Sequence, residues 1–246
     1  MNPSRVPLRT ALASPDSKSR YVRRLFSTIA DRYDLITVLL SFGLDARWKQ
    51  RLVALADLQP RTRALDLACG TGDIAFALHE RGASATGLDV THRMVVLTGQ
   101  KRRQLRLTSS AAPAFVTGDM MALPFPDESF DLVTTGYGLR NVPDISGALD
   151  EIHRVLKPGG RLLSLDFNRP EQPLVRFVYL NYLTAVGSAL GYALHRDPDT
   201  YRYIPESIRR YPGARGVMKL MEQRGFVNAS WQRVLGGFMA IHVAAK

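Results

Sequence analysis

The chain has one cysteine, Cys69, among 246 residues. An intramolecular disulfide is therefore excluded, as is a cysteine-based metal cluster within one chain, and a reducing compartment fits. Acidic residues are in deficit, 22 Asp and Glu against 33 Lys and Arg, for a formal charge of +11. That excess favours contact with nucleic acid, an anionic membrane surface or a charged substrate, although most such charge is solvated surface. No apolar run is long enough to span a bilayer free of charge; the nearest, residues 174–194, carries Arg176 and Asn181. Internal repeats and low-complexity tracts are absent. His79, His92, His153 and His195 read as surface or capping residues, His242 is a weak candidate, and no pair has metal-ligand spacing, so no metal is expected. Residues 1–20 lack an apolar signal-peptide core, are broken by Pro3, Pro7 and Pro15, and read as a disordered basic arm. Residues 21–246 are expected to form one cytoplasmic domain, since 46% hydrophobic content suffices for one large core.

Apolar residues at helical spacing over 21–55, among them Leu25, Phe26, Ile29, Tyr33 and Leu44, predict two or three helices before the first strand. From Arg63 the pattern alternates. Strands are predicted at 64–68, 83–89, 114–117, 130–135 and 161–167, and helices at 73–81, 91–107 and 144–156. The last helix stops at Pro158-Gly159-Gly160. Such alternation predicts a doubly wound, mostly parallel α/β sheet covered on both faces. An apolar helix at 174–194, a mixed loop or short helix at 201–211 and a helix at 217–224 follow. Residues 227–234 and 238–245, joined through Gly236-Gly237, read as a terminal antiparallel hairpin that completes seven strands.

The segment Asp66-Leu67-Ala68-Cys69-Gly70-Thr71-Gly72 places a glycine turn at the carboxyl end of the first strand, where backbone amides can approach a ligand. Asp89 ends the second strand, positioned to accept from two ribose hydroxyls. Gly70 to Ala75 also satisfies the dinucleotide pattern G-x-G-x-x-A, which keeps nucleotide redox chemistry open. Asp66 argues against it: with Asp73 at the helix start, it would repel a pyrophosphate but welcome the ammonium of a methionine moiety. Gly118-Asp119-Met120 ends strand three with a carboxylate for an adenine amino group and a thioether beside the ring. Asp66, Asp89 and Asp119 at three strand ends, with Gly70, Thr71, Gly72, Met120 and Gly136, are the expected binding set for S-adenosyl-L-methionine.

With these blocks in view, the chain resembles the quinone-biosynthesis C-methyltransferases called MenG or UbiE in bacteria, from about Phe26 to Lys246. The resemblance is carried by Phe26 to Ala30 with Tyr33-Asp34, by Ser41 to Leu44 with Trp48-Lys49, by Leu65 to Asp73 and by Leu123-Pro124-Phe125. It continues through Tyr137-Gly138-Leu139-Arg140-Asn141-Val142, Arg154 to Gly160, Tyr203-Ile204-Pro205-Glu206-Ser207-Ile208 and Gly225-Phe226. The glycine loop and Lys157 to Gly160 turn are shared by many small-molecule methyltransferases; the Gly138 to Asn141 and Tyr203 to Ser207 blocks are more specific. Thr37 stands where the family usually has Asn, and Asp166 where Glu is common. The resemblance implies cofactor contacts from Thr71, Asp89, Asp119 and Met120, and Arg140 with Asn141 against the substrate ring. It also implies that residues 21–55 and 173–212 are lids over a polyprenyl quinol, demethylmenaquinol being favoured.

A ring carbon is a poor nucleophile until a neighbouring hydroxyl begins to lose its proton, so the reduced quinol is the expected acceptor. Arg140 and Asn141, with Tyr203 and Glu206, are the polar groups expected at the ring. Arg140 would steady the phenolate, or also take its proton through a water held with Asn141; Glu206 would be the base, or else an ion-pair partner of Arg209 or Arg210. The lid aromatics with nearby basic residues suggest peripheral docking on the anionic inner face of the cell membrane, and a homo-oligomer is left open. A nucleic-acid methyltransferase is disfavoured, because no Asn-Pro-Pro-aromatic block follows strand four and Cys69 lies in the cofactor loop. A non-catalytic cofactor-binding protein is disfavoured by the intact acids and glycines.

Overall fold

The computed structural model describes residues 8–107 and 112–246. Four helices come first: α1 (Leu8–Ala11), α2 (Pro15–Ile29), α3 (Tyr33–Leu40) and α4 (Asp45–Ala54). The alternating part follows as β1 (Arg63–Leu67), α5 (Asp73–Glu80), β2 (Ser84–Asp89), α6 (His92–Gln104), β3 (Ala114–Thr117), β4 (Phe130–Gly136), α7 (Ile145–Val155) and β5 (Leu156–Phe167). Then come α8 (Pro173–His195), α9 (Asp199–Arg210), α10 (Gly213–Gln223), β6 (Val227–Val234) and β7 (Met239–Ala245).

The seven strands lie in the order β3-β2-β1-β4-β5-β7-β6, parallel except that β7 runs antiparallel to both β5 and β6. Chain order reverses between β1 and β4, and the crevice at their carboxyl ends is the place where such sheets bind ligands. Two apolar layers pack on the sheet. One joins Leu65, Leu67 and Val133 to α7 and α10, and the other joins Ala64, Leu132, Leu163 and Leu165 to α4 and α5. Every β1 residue from Ala64 to Leu67 is buried, as a central parallel strand requires. Asp66 is therefore an acid in a position that packing alone would give to an aliphatic side chain.

The structure differs from three expectations. Residues 8–20 are mostly helical and not a disordered arm. Ser14 caps α2 reciprocally with Ser17, and Pro15 sits in the first turn, where its missing N–H costs nothing. Leu12 and Val22 then pack on Tyr203. Residues 1–7 lie outside the described residues. The turn at Lys157 to Gly160 is absorbed into β5, because Gly159 N–H donates to Lys246 O at 3.0 Å and Lys246 N–H to Gly160 O at 2.9 Å. Residues 199–210 form a full helix, with Pro205 inside it.

By length and composition α8 is apolar enough to cross a membrane. In this fold it packs on α9, Leu180 and Leu183 meeting Ile208, and with α2, α3 and α9 it walls a chamber above the sheet.

Candidate active site

The glycine turn is built by left-handed backbone. Gly70 has φ +53 and Gly72 φ +86, and a Cβ on Gly72 would lie 2.8 Å from Thr98 Cγ2. Asp89 holds the turn from below, accepting from Gly70 N–H at 2.9 Å and Thr91 N–H at 2.8 Å. A carboxylate offers about four acceptor positions, so both oxygens retain capacity for a diol. Thr71 Oγ1 donates to Asp34 Oδ1 at 2.7 Å, which ties the turn to α3.

Asp66 is 1% exposed. Its Oδ1 accepts from Thr134 Oγ1 at 2.9 Å, while Oδ2 is buried without a partner. Burial pushes its pKa up to about 7, against the pull of Thr134, Lys49 and the more loosely placed Ala75 backbone N–H. An orphaned carboxylate oxygen of this kind suits a cationic ligand group. Asp73 does not act in the same way, because Lys49 at 2.8 Å and Lys101 both pair with it and compensate its charge. Asp119, at the far end of the groove, is partly exposed; it accepts from Met121 N–H at 3.0 Å and pairs with Arg23 of α2 at 2.6 Å.

Gly70, Asp89, Asp119, Met120 and Gly136 line one cleft, and Asp66, Gly70, Thr71 and Gly136 line a smaller one beside it. The two clefts adjoin, sharing Tyr33, Ala68, Gly70, Gly136 and Tyr137, so that Asp66, Asp89 and Asp119 line one continuous groove. Gly136 lets Ile74 pack close against this part of the backbone, since a Cβ there would meet Ile74 Cδ1 at 2.8 Å.

Beyond Tyr137 lies an apolar cavity of about 700 Å³. Phe26, Tyr33, Trp48, Phe167, Tyr179 and Tyr203 are in its wall. Arg140 also lines it and is 6% exposed. Its Nη1 donates to Asp166 Oδ1 and to Tyr137 O, both at 2.9 Å, and its backbone N–H to Asp166 Oδ2 at 3.1 Å. The guanidinium lies 4.8 Å from the Phe167 ring centroid, and Nε has no partner. Burial would lower its pKa, but the Asp166 carboxylate outweighs that and keeps Arg140 protonated. Asn141 Nδ2 donates to Tyr137 O at 2.7 Å, and its Oδ1 accepts from Tyr203 Oη at 3.0 Å.

Arg140, Asn141 and Tyr203 are thus brought together. Glu206 is not: Arg209 and Arg210 hold it at 3.2 Å each, and it lies outside the chamber wall. Helical spacing explains this, because three- and four-residue neighbours share a face. Sequence reasoning also gave no role to Asp166, Asp45 or Tyr137. Asp166 stood out only as a departure from the usual Glu, and Tyr137 only as the start of a specific block. Among the described residues no group of His, Cys, Asp and Glu could hold a metal.

Fold and site together define a class I methyltransferase. Consistent with that class, a crystal structure of a SAM-dependent methyltransferase from Thermotoga maritima superposes with a TM-score of 0.65, covering 92% of this chain and 99% of its own at 20% identity. The sequence model of the ubiE/COQ5 methyltransferase family matches residues 14–246, and the chain belongs to that family. A demethylmenaquinone methyltransferase of Thermus thermophilus is 41% identical over 90% of this chain and 100% of its own length. The ubiquinone/menaquinone biosynthesis C-methyltransferase UbiE of Paracoccus denitrificans is 38% identical over 93% of this chain and 92% of its own.

Proposed function

We propose that this enzyme methylates a ring carbon of a reduced polyprenyl naphthoquinone, converting demethylmenaquinol to menaquinol. When bound, S-adenosylmethionine supplies an electrophilic methyl group. Asp66 Oδ2 would receive its ammonium, Asp89 its ribose and Asp119 its adenine amino group. One observation carries the acceptor assignment: the apolar chamber and the groove of acids share Phe26, Tyr33 and Tyr137 as common wall. A greasy acceptor is thereby held against the methyl donor with water kept out.

Arg140 meets the ring oxygen. Pinned by Asp166 and stacked near Phe167, it stabilises developing negative charge without reorganising. Asn141 and Tyr203 complete that edge. A fully oxidised ring has no hydroxyl to ionise, so only the quinol is methylated. The test is transfer of labelled methyl to demethylmenaquinone with and without reductant, beside a polyprenyl methoxybenzoquinol and RNA. Transfer without reductant, or to RNA, would overturn the assignment.

A chamber of about 700 Å³ holds a ring and part of a tail, so the rest of a polyprenyl chain lies outside. Leu35, Val38 and Phe42 of the α3 end and Leu174 and Phe177 of α8 are exposed near the chamber-lining residues of the same two segments; Phe42 is 71% exposed. Together with the net charge of +11, this rim docks peripherally on anionic lipid, which takes up the free tail. Co-sedimentation with phosphatidylglycerol vesicles, and its loss in a Phe42→Ser, Phe177→Ser double variant, tests the docking; equal sedimentation of both proteins refutes it.

A further inference from the structure

Tyr137 lines the apolar chamber and both clefts of the cofactor groove. Its backbone is left-handed, with φ +62, a conformation disfavoured for a side chain with a Cβ. The surroundings hold it there. Its N–H donates to Leu165 O at 2.7 Å, and its carbonyl accepts from Arg140 Nη1 and Asn141 Nδ2. The three hydrogen bonds hold this strained conformation and so fix one placement of the side chain.

The Tyr137 hydroxyl donates to Asp45 Oδ1 at 2.6 Å. Asp45 is 6% exposed, and its other oxygen faces Lys49 Nζ at 2.6 Å. Lys49 reaches on to Asp73 at 2.8 Å. Among the described residues that line the chamber there is no carboxylate and no histidine. Arg140 stays protonated and accepts nothing. A proton leaving an acceptor hydroxyl therefore has no direct side-chain base. A carboxylate accepts hydrogen bonds and does not donate them, so the Tyr137 proton is committed to Asp45 and its oxygen offers only lone pairs elsewhere.

We propose that Tyr137 and Asp45 form the proton-accepting pair for the quinol hydroxyl, a role that rests on the acceptor reading above. As the carbon–methyl bond forms and the sulfur–methyl bond breaks, its electron pair staying on sulfur, the hydroxyl proton passes to Tyr137 Oη. The Tyr137 proton passes to Asp45 Oδ1. Lys49 keeps Asp73 as partner while Asp45 is neutral. The methylated ring is then a ketone tautomer with one hydrogen on the methylated carbon. That hydrogen leaves as a proton to water, Tyr137 returns a proton to the ring oxygen, and Asp45 returns one to Tyr137. The pair ends as it began, and one proton is released per methyl group.

Tyr137→Phe keeps the ring and removes the acceptor oxygen. Turnover should fall by about 100-fold. Calorimetric affinity for S-adenosylhomocysteine should stay within about twofold. Binding of tail-less reduced naphthoquinone, menadiol, measured under argon, should weaken about tenfold for one lost hydrogen bond. Asp45→Asn retains the hydroxyl but not the proton sink, so it should lose turnover while holding menadiol. Thermal melts identify folded variants. Wild-type turnover in folded Tyr137→Phe, or parallel loss of cofactor affinity and turnover, would overturn the pair. A wild-type enzyme that neither binds nor methylates the reduced naphthoquinone overturns the acceptor reading itself, and the pair with it.

Discussion

On the proposed assignment of Asp66 to the ligand ammonium, cofactor binding should follow a titration. In the free protein its carboxyl is raised from the ordinary value to about 7, first by burial. A shift of about 3 units corresponds to about 4 kcal/mol between the two protonation states. The folded-state value lies above the unfolded one, so stability from this group is full below about pH 4 and is lost as pH rises towards 7. A ligand ammonium at the orphaned Oδ2 should restore the charged form, so that binding expels the proton. Affinity should be about tenfold weaker at pH 6, and about a hundredfold weaker at pH 5, than at its plateau. Above about pH 8 it should decline again as the ligand's own α-amino group deprotonates. Calorimetry at pH 7 in two buffers of different ionisation enthalpy should report about half a proton released per ligand. Asp66→Asn keeps an acceptor for Thr134 and removes the titration. It should weaken binding, flatten the acid limb and stabilise the free protein at pH 8 by up to about 4 kcal/mol. Affinity that is flat between pH 5 and 7 in the wild type, with no buffer dependence, would refute the reasoning.

Arg140→Ala breaks a buried pair at a cost of about 3–5 kcal/mol, towards the low end because Asp166 keeps two backbone N–H donors. The melting temperature should fall by about 6–20 °C. At a temperature where the variant is folded, turnover should drop far more than S-adenosylhomocysteine affinity; equal losses would remove Arg140 from the acceptor site. Gly138→Ala should lower the urea midpoint by the equivalent of about 1–3 kcal/mol, because the new Cβ would sit 2.3 Å from Thr135 Oγ1 and 3.0 Å from Ala68 Cβ; an unchanged midpoint refutes the crowding. The Arg23–Asp119 pair ties α2 across the cleft that both residues line, so Arg23→Ala should speed cofactor association in stopped-flow measurements and make it less sensitive to salt. An unchanged association rate would show that α2 does not gate the groove.

Much of this was legible from pattern. The five parallel strands and the terminal hairpin follow from short apolar runs with turn residues between them. Asp66 and Asp89 were visible because a carboxylate in a buried run has no structural excuse, and Asp119 because it follows a glycine at the end of the next strand. What stayed hidden depended on tertiary partners. Pro15 reads as a breaker until Ser14 and Ser17 show it starting a helix. Lys157 to Gly160 reads as a turn until the C-terminal strand arrives to pair with it. Glu206 could not be assigned because base and ion-pair partner require the same residue type at the same spacing, and only the helix face decides. Tyr137 and Asp45 are 92 residues apart, and neither has a local pattern that points to the other.

The N-terminal helices serve two compartments at once, and the forces holding them differ on the two sides. On the cofactor side the contacts are polar: Arg23 with Asp119, Arg93 with Asp31, Thr71 with Asp34, and Lys18 donating to the carbonyls of Arg140 and Val142. The first two pairs are largely exposed, and such pairs contribute little stability on their own. On the acceptor side the contacts are apolar, Ile29 and Ile36 packing on Tyr201, and Leu12 and Val22 on Tyr203. Phe26 and Tyr33 belong to both walls. A displacement of these two side chains on the cofactor side is therefore also a displacement of the chamber wall. The exposed ion pairs on the cofactor side therefore contribute less to holding these helices than the buried apolar contacts on the acceptor side.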